Sequence, residues 1–204
     1  MEAANRGAMG TDLELCLDFA DTLDWRTSNH AKDGLDSYAA LLEWSSKKGL
    51  LDQKQATTLG RAANKDGFAP VLAEAVRLRE AIYRIFSAIA HKTRAPPRDL
   101  AILNEYLARS LSRMAVKESG NGYDWGLSCE TSPEMMLYQV AESAAMLLTS
   151  EDLARVRECA NEEEGCGSLF LDCSKSQTRR WCSMESCGNR AKSRKFYDKH
   201  LRVA

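Results

Sequence analysis

The chain lacks an apolar run long enough to cross a membrane, because Asp18 and Asp21 interrupt its first apolar stretch at residues 13–23. That stretch also has no basic lead-in and no small-residue cleavage site. A secretory signal is therefore not expected, and the expected location is the cytoplasm. Glycine-rich phosphate loops, internal repeats and low-complexity tracts are missing. Histidine is scarce: His30, His91 and His200 fall in separate segments, and no Ser/His/Asp arrangement can be placed. His91, near a helix end, reads as a partner for terminal carbonyls. An enzyme is not expected. Disorder as the main state is not expected either, since 44% hydrophobic residues over 204 positions suffice for a core.

What is present is unevenly distributed. Net charge is −1, yet residues 173–204 hold nine Lys/Arg (Lys175, Arg179, Arg180, Arg190, Lys192, Arg194, Lys195, Lys199, Arg202) against Glu185 and Asp198. The tail is thus +7 and the rest of the chain −8. Such a split points to an anionic partner, nucleic acid above all; the alternative is a solvated basic helix that serves solubility.

Hydrophobic spacing predicts a mainly helical body. Leu13, Cys16, Leu17, Ala20 and Leu23 form one helical face from a Thr11 or Asp12 cap to about Trp25 and Arg26, with a loop over residues 27–34. Ser37, Tyr38, Leu41, Leu42 and Trp44 mark a second helix stopped by Gly49. Asp52 caps a third, and Pro70 opens a long fourth that runs to about His91. Pro96-Pro97 separates a fifth, with Leu100, Leu103, Leu107 and Leu111 facing inward. Alternation around Gly120-Asn121-Gly122 predicts a β-hairpin with Cys129 on its buried face. A sixth helix spans about 132–149, and residues 150–153 link it to the tail. Residues 1–11 have no apolar period and are expected to be mobile.

Seven cysteines, an odd number, argue against a disulfide framework, and five of them fall between positions 159 and 187. Structural zinc needs four soft ligands, usually as two pairs around a short element. Cys159 with Cys166 gives one pair and Cys182 with Cys187 the other; Cys173 is the spare and could replace Cys166. Residues 169–172 and 179–182 can form two strands around a turn at 174–177. Ser183 can then cap a helix carrying Cys187 and the basic residues. Incidental buried cysteines and a redox pair are the competing readings, but neither close pair has Cys-x-x-Cys spacing.

The run Arg179-Arg180-Trp181-Cys182-Ser183-Met184-Glu185-Ser186-Cys187-Gly188-Asn189-Arg190-Ala191-Lys192 resembles the CGNR zinc-finger family. Residues 15–26, Leu-Cys-Leu-Asp-Phe-Ala-Asp-Thr-Leu-Asp-Trp-Arg, are similar to the start of the ABATE domain. That domain usually precedes this finger in bacterial proteins described as candidate stress-induced transcription regulators. The resemblance implies zinc on Cys159, Cys166, Cys182 and Cys187. After the segment at 1–11, it implies an ABATE-like helical domain at 12–152 and a finger at 153–204. The first cysteine pair is wider than the family's usual form, and the turn at 173–178 is poorer in arginine.

The expected fold is mainly α: a helical N-terminal domain with one β-hairpin, then a small α+β finger in which a hairpin precedes a helix. The candidate nucleic-acid residues are Arg179, Arg180, Asn189, Arg190, Lys192, Arg194 and Lys195, long cations or bidentate donors on or beside one helix. Asn189 could instead bond local backbone, Arg190 could pair with an acid of the finger or main domain, and Trp181 reads as finger core. Asp18, Asp21 and Asp24 would share a helical stripe, either solvated or lining a pocket with Trp25 and Arg26 at its mouth. Arg26 is the candidate effector ligand. The candidate partners are DNA, a small-molecule effector and a second copy of the chain; a membrane is not expected. A DNA-binding regulator leads, with a zinc-stabilised protein-interaction module as the alternative.

Overall fold

The computed structural model describes residues 12–66, 68–128 and 132–201. Its helices begin and end on local chemistry. After the short α1 (Leu15–Ala20), Ser37 accepts the Ala40 N–H at 3.1 Å and opens α2 (Tyr38–Lys47). A Schellman turn closes α2: Gly49 sits at φ +71°, its N–H reaches the Ser46 carbonyl, and the Leu50 N–H reaches that of Ser45. Asp52 and Gln55 exchange side-chain and backbone hydrogen bonds at 2.7 and 2.8 Å, a capping box for α3 (Gln53–Asp66). Pro70 lies in the first turn of α4 (Ala69–Ala90) and Pro97 opens α5 (Pro97–Leu111). His91 lies beyond α4, with its Nδ1 on the Ser87 carbonyl.

The strands are short antiparallel pairs. They are β1 (Leu23–Asp24) with β2 (Lys32–Asp33), β3 (Met114–Ser119) with β4 (Gly122–Leu127), and β5 (Val156–Glu158) with β6 (Leu169–Leu171). The remaining helices are α6 (Met135–Leu148) and α7 (Asn189–Leu201). Among the described residues no helix is long and apolar enough to cross a membrane.

One core serves most of the chain. Ala75, Leu78, Ile82, Ile85 and Phe86 of α4 meet Met136, Val140, Ala144 and Leu147 of α6, together with Cys16 and Phe19 of α1. Val156, Leu169 and Leu171 belong to the same core. Phe170, between the two leucines, joins a second cluster made of Cys159, Cys166 and Cys187. Side chains alternate across a strand, so β6 faces the helices with two residues and the cysteines with one.

Several expectations change. The first helix ends at Ala20, not near Arg26, and residues 23–24, expected in that helix, pair with 32–33, expected in a loop. The chain leaves the helix because tertiary partners outbid the next helical turn. Asp21 accepts the Leu169 N–H at 2.9 Å, and the Arg26 and Thr27 N–H groups reach the Cys166 and Gly165 carbonyls. Asp18, Asp21 and Asp24 therefore share no stripe: Asp18 pairs with Lys48, and Asp24 accepts the N–H of Trp25. Leu111 faces solvent at 62% exposure, since α5 turns Ile102, Leu103 and Tyr106 inward. The hairpin β3–β4 turns on Gly120-Asn121 as patterned, but Val116, Tyr123 and Trp125 are exposed. Finally, β6 pairs with β5 and not with residues 179–182, which form no strand because Asp172 ties that loop through the Ser174 and Arg179 N–H groups. The expectations for residues 1–11, Cys129 and Arg202 lie outside the described residues.

Candidate metal centre and nucleic-acid interface

Each cysteine is delivered by a distinct local device. Cys159 extends β5, with its N–H on the Ser168 carbonyl at 2.8 Å. A 3-10 turn at Glu162–Glu164 then reverses the chain, and Gly165 at φ +74° closes it so that the Cys166 N–H meets the Asn161 carbonyl. Cys182 follows the Asp172-tied loop and gives its N–H to the Cys159 sulfur at 3.5 Å. Ser183 caps a π-helical turn at Met184–Gly188, accepting the Ser186 N–H at 3.3 Å, and this turn carries the buried Cys187.

The four sulfurs lie within 4.8 Å of one another. Cys166 to Cys182 and Cys182 to Cys187 are both 3.7 Å, and all four cysteines are free thiols. A tetrahedron of sulfurs around a divalent ion with bonds of about 2.3 Å has edges of about 3.8 Å. The donor set therefore fits a metal. Hydrogen bonds from the Cys166 and Cys182 thiols hold Cys159 down to about 4, whereas the thiol of Cys182 is pushed up by its hydrogen bonds to Cys159 and Cys166 and by burial. Four thiolates this close need a cation to coexist. Cys173 is exposed and outside the cluster. Trp181 and Trp25 pack against the sulfurs.

The finger is fastened to the helical domain along this edge. Tyr83 and Ser87 of α4 donate to the Glu158 carboxylate at 3.0 and 2.6 Å. Burial pushes Asp21 up to about 8, against the Leu169 N–H that stabilises its carboxylate. Arg26 is 7% exposed at its side chain. It pairs with Glu80 at 2.5 Å, donates to the Ala20 carbonyl at 2.7 Å and covers the Tyr83 ring at 3.9 Å. Glu80 also accepts from the buried Arg79, which holds Asp33 with two hydrogen bonds of 2.6 and 2.8 Å. Arg26 thus sits inside a structural network.

A model of the ABATE family, described as "Putative stress-induced transcription regulator", matches residues 13–151, and a CGNR zinc-finger model matches residues 155–200. The chain belongs to the ABATE family and carries a CGNR zinc finger. No curated protein matches it. In this ABATE–CGNR chain the four-cysteine cluster coincides with the finger, and both families are regulatory or zinc-finger families.

The basic residues of the finger divide by partner. Arg179 is exposed but folds back on its own loop, with Nε on the Trp181 carbonyl at 2.9 Å, a further bond to the Cys182 carbonyl, and its guanidinium over Phe170. Asn189 donates to the Glu185 carbonyl at 3.2 Å, a local backbone bond. Arg190 pairs with Glu164 at 3.2 Å and lies 4.6 Å from the Trp25 ring centre. Arg194 pairs with Glu163 and with Glu164, the latter at 2.5 Å. Arg180 rests over Trp181, and Lys192 and Lys195 are exposed.

Sequence reasoning missed two contributors, the acidic turn at 162–164 and the glycines on either side of Cys166, and it named Trp25 at a pocket mouth without its contact with the cysteine cluster. Gly165 and Gly167 both have positive φ, and a Cβ on Gly165 would come within 2.5 Å of the Ser28 backbone nitrogen. The signal was available in part. Three consecutive glutamates inside a cysteine pair, opposite a +7 tail, mark a site for arginine.

Proposed function

We propose that this chain is a DNA-binding transcription regulator whose four-cysteine centre holds zinc. All-sulfur tetrahedral donor sets are the usual structural zinc site. In this reading residues 12–152 act as the sensing domain and residues 153–204 as the DNA-binding finger, in the cytoplasm. The observation that carries it is the position of α7: it starts two residues after Cys187, so the metal centre aims an exposed basic helix away from a rigid support. Arg180, Lys192 and Lys195 suit phosphate contact. A cleft of about 560 Å³ beside Trp25, lined by residues of both parts, offers room for an effector near Arg190; Arg26 would then act by fixing the segment that forms its wall.

The exposed face of β3–β4 supports a second reading, a zinc-stabilised module that binds protein, whether another chain or a second copy. Fluorescence anisotropy with zinc-loaded protein and a labelled duplex separates the two. We expect binding at low salt that weakens linearly on a log–log plot as salt rises. Absence of binding at low salt, with a stable protein partner or a dimer in solution, would replace the first reading with the second.

A further inference from the structure

The two sides of α7 have different surroundings. Arg190 and Arg194, four residues apart, share one side; Lys192 and Lys195 lie on the opposite one. Every guanidinium on the arginine side is occupied within the protein. Arg194 is held by Glu163, Glu164 and Asn161, and Arg190 by Glu164 and the Trp25 face. A phosphate approaching these arginines would have to displace two carboxylates that then face it with like charge. The lysine side borders a groove of about 630 Å³ between α7 and the acidic turn, where Arg180 and Trp181 stand across from Lys192 and Lys195. Arg194 and Glu163 reach the same groove as an ion pair, and Glu162 and Asp198 complete its acidic lining, which confines an anion to Arg180, Lys192 and Lys195.

We propose that nucleic acid engages the Lys192–Lys195 side of α7 together with Arg180, while Glu163 and Glu164 hold Arg190 and Arg194 in cis as rivets of the finger. The proposal rests on the DNA-binding reading above. It makes the acidic turn a limit on the size of the interface: of the four cations at positions 190–195, the turn takes two and leaves two for phosphate.

The test is a salt titration of duplex binding by zinc-loaded full chain and three variants. Each lost phosphate contact lowers the log–log slope by about 0.9, or about eightfold in affinity at 0.1 M salt. Lys192→Ala/Lys195→Ala is expected to lose a slope of about 1.8 and roughly 60-fold in affinity at that salt. The charge-balanced variant Arg190→Ala/Arg194→Ala/Glu163→Gln/Glu164→Gln is expected to keep the wild-type slope. Glu163→Gln/Glu164→Gln, which frees both arginines, is expected to bind more tightly with a steeper slope, and it gives a reading even if the fourfold variant does not fold. A slope carried by the arginine side, with the lysine variant unchanged, overturns this proposal alone. No binding by the unaltered chain at low salt overturns the regulator reading and this proposal with it.

Discussion

Gly165→Ala tests the fastening of the metal loop to the helical domain. Gly165 has φ +74°, and a Cβ there would meet the Ser28 N, Cα and Cβ at 2.5, 2.7 and 2.7 Å. Two of those atoms are backbone and cannot rotate away. The left-handed conformation costs about 1–2 kcal/mol for a residue with a Cβ. Forcing apart the contact adds about 1–3 kcal/mol. The sum, about 2–5 kcal/mol, corresponds to roughly 4–20 °C of melting temperature at about 2–4 °C per kcal/mol for a chain of this size. Gly120→Ala is the control, since Gly120 has φ +58° with nothing within 4 Å of the added carbon. It carries only the backbone part, about 1–2 kcal/mol. Thermal unfolding of the zinc-loaded variants measures both, and competition with a chromophoric chelator shows whether Gly165→Ala also loosens the metal. Equal losses for the two variants would refute the close approach of residues 25–28 to the finger as a source of stability.

Two further outcomes follow from the packing. Removing the metal with a chelator, or Cys187→Ser, should lower the melting temperature of the whole chain in one transition, because Leu169 and Leu171 lie in the helical core while Phe170 faces the sulfurs; a finger that melts alone, with the helices unaffected, would contradict this. Burial raises the buried Glu142 carboxyl above its usual 4.5, against the Ser110 hydroxyl that donates to it, so its stability contribution is complete below about pH 4.5 and is lost as pH rises through the raised value. Glu142→Gln should therefore match the wild type at pH 4 and exceed it in stability at pH 7, as read from denaturant midpoints.

The legible parts of the fold are those with local causes. Ser37, Asp52, Pro70 and Pro97 each start a helix where the sequence places them, because capping depends on a few neighbouring atoms. The clustering of the four cysteines was legible through their pairing and through the run around Cys187. Failures came where distant residues compete for backbone groups. The apolar period through Leu23 supports a longer first helix, but the Leu169 N–H, the Cys166 carbonyl and the Gly165 carbonyl claim that segment. The strand partner of residues 169–171 was misassigned for a related reason. The nearer segment at 179–182 is tied up by Asp172, which leaves residues 156–158 to complete the pair.

The seven nucleic-acid candidates show the same division. Their residue types and their place beside the cysteines follow from the sequence, which also fixes the +7 balance of the tail. Which of them keep a free charge depends on where Glu163, Glu164 and Trp25 arrive in space. Composition, caps and cysteine spacing act over a few residues and so survive in the one-dimensional pattern. The partners of Arg26, Arg190 and Arg194, and the merging of the finger's strand with the helical core, join residues tens of positions apart. Only the folded chain decides those, because electrostatic pairing and apolar burial depend on distance in space and not on separation along the backbone.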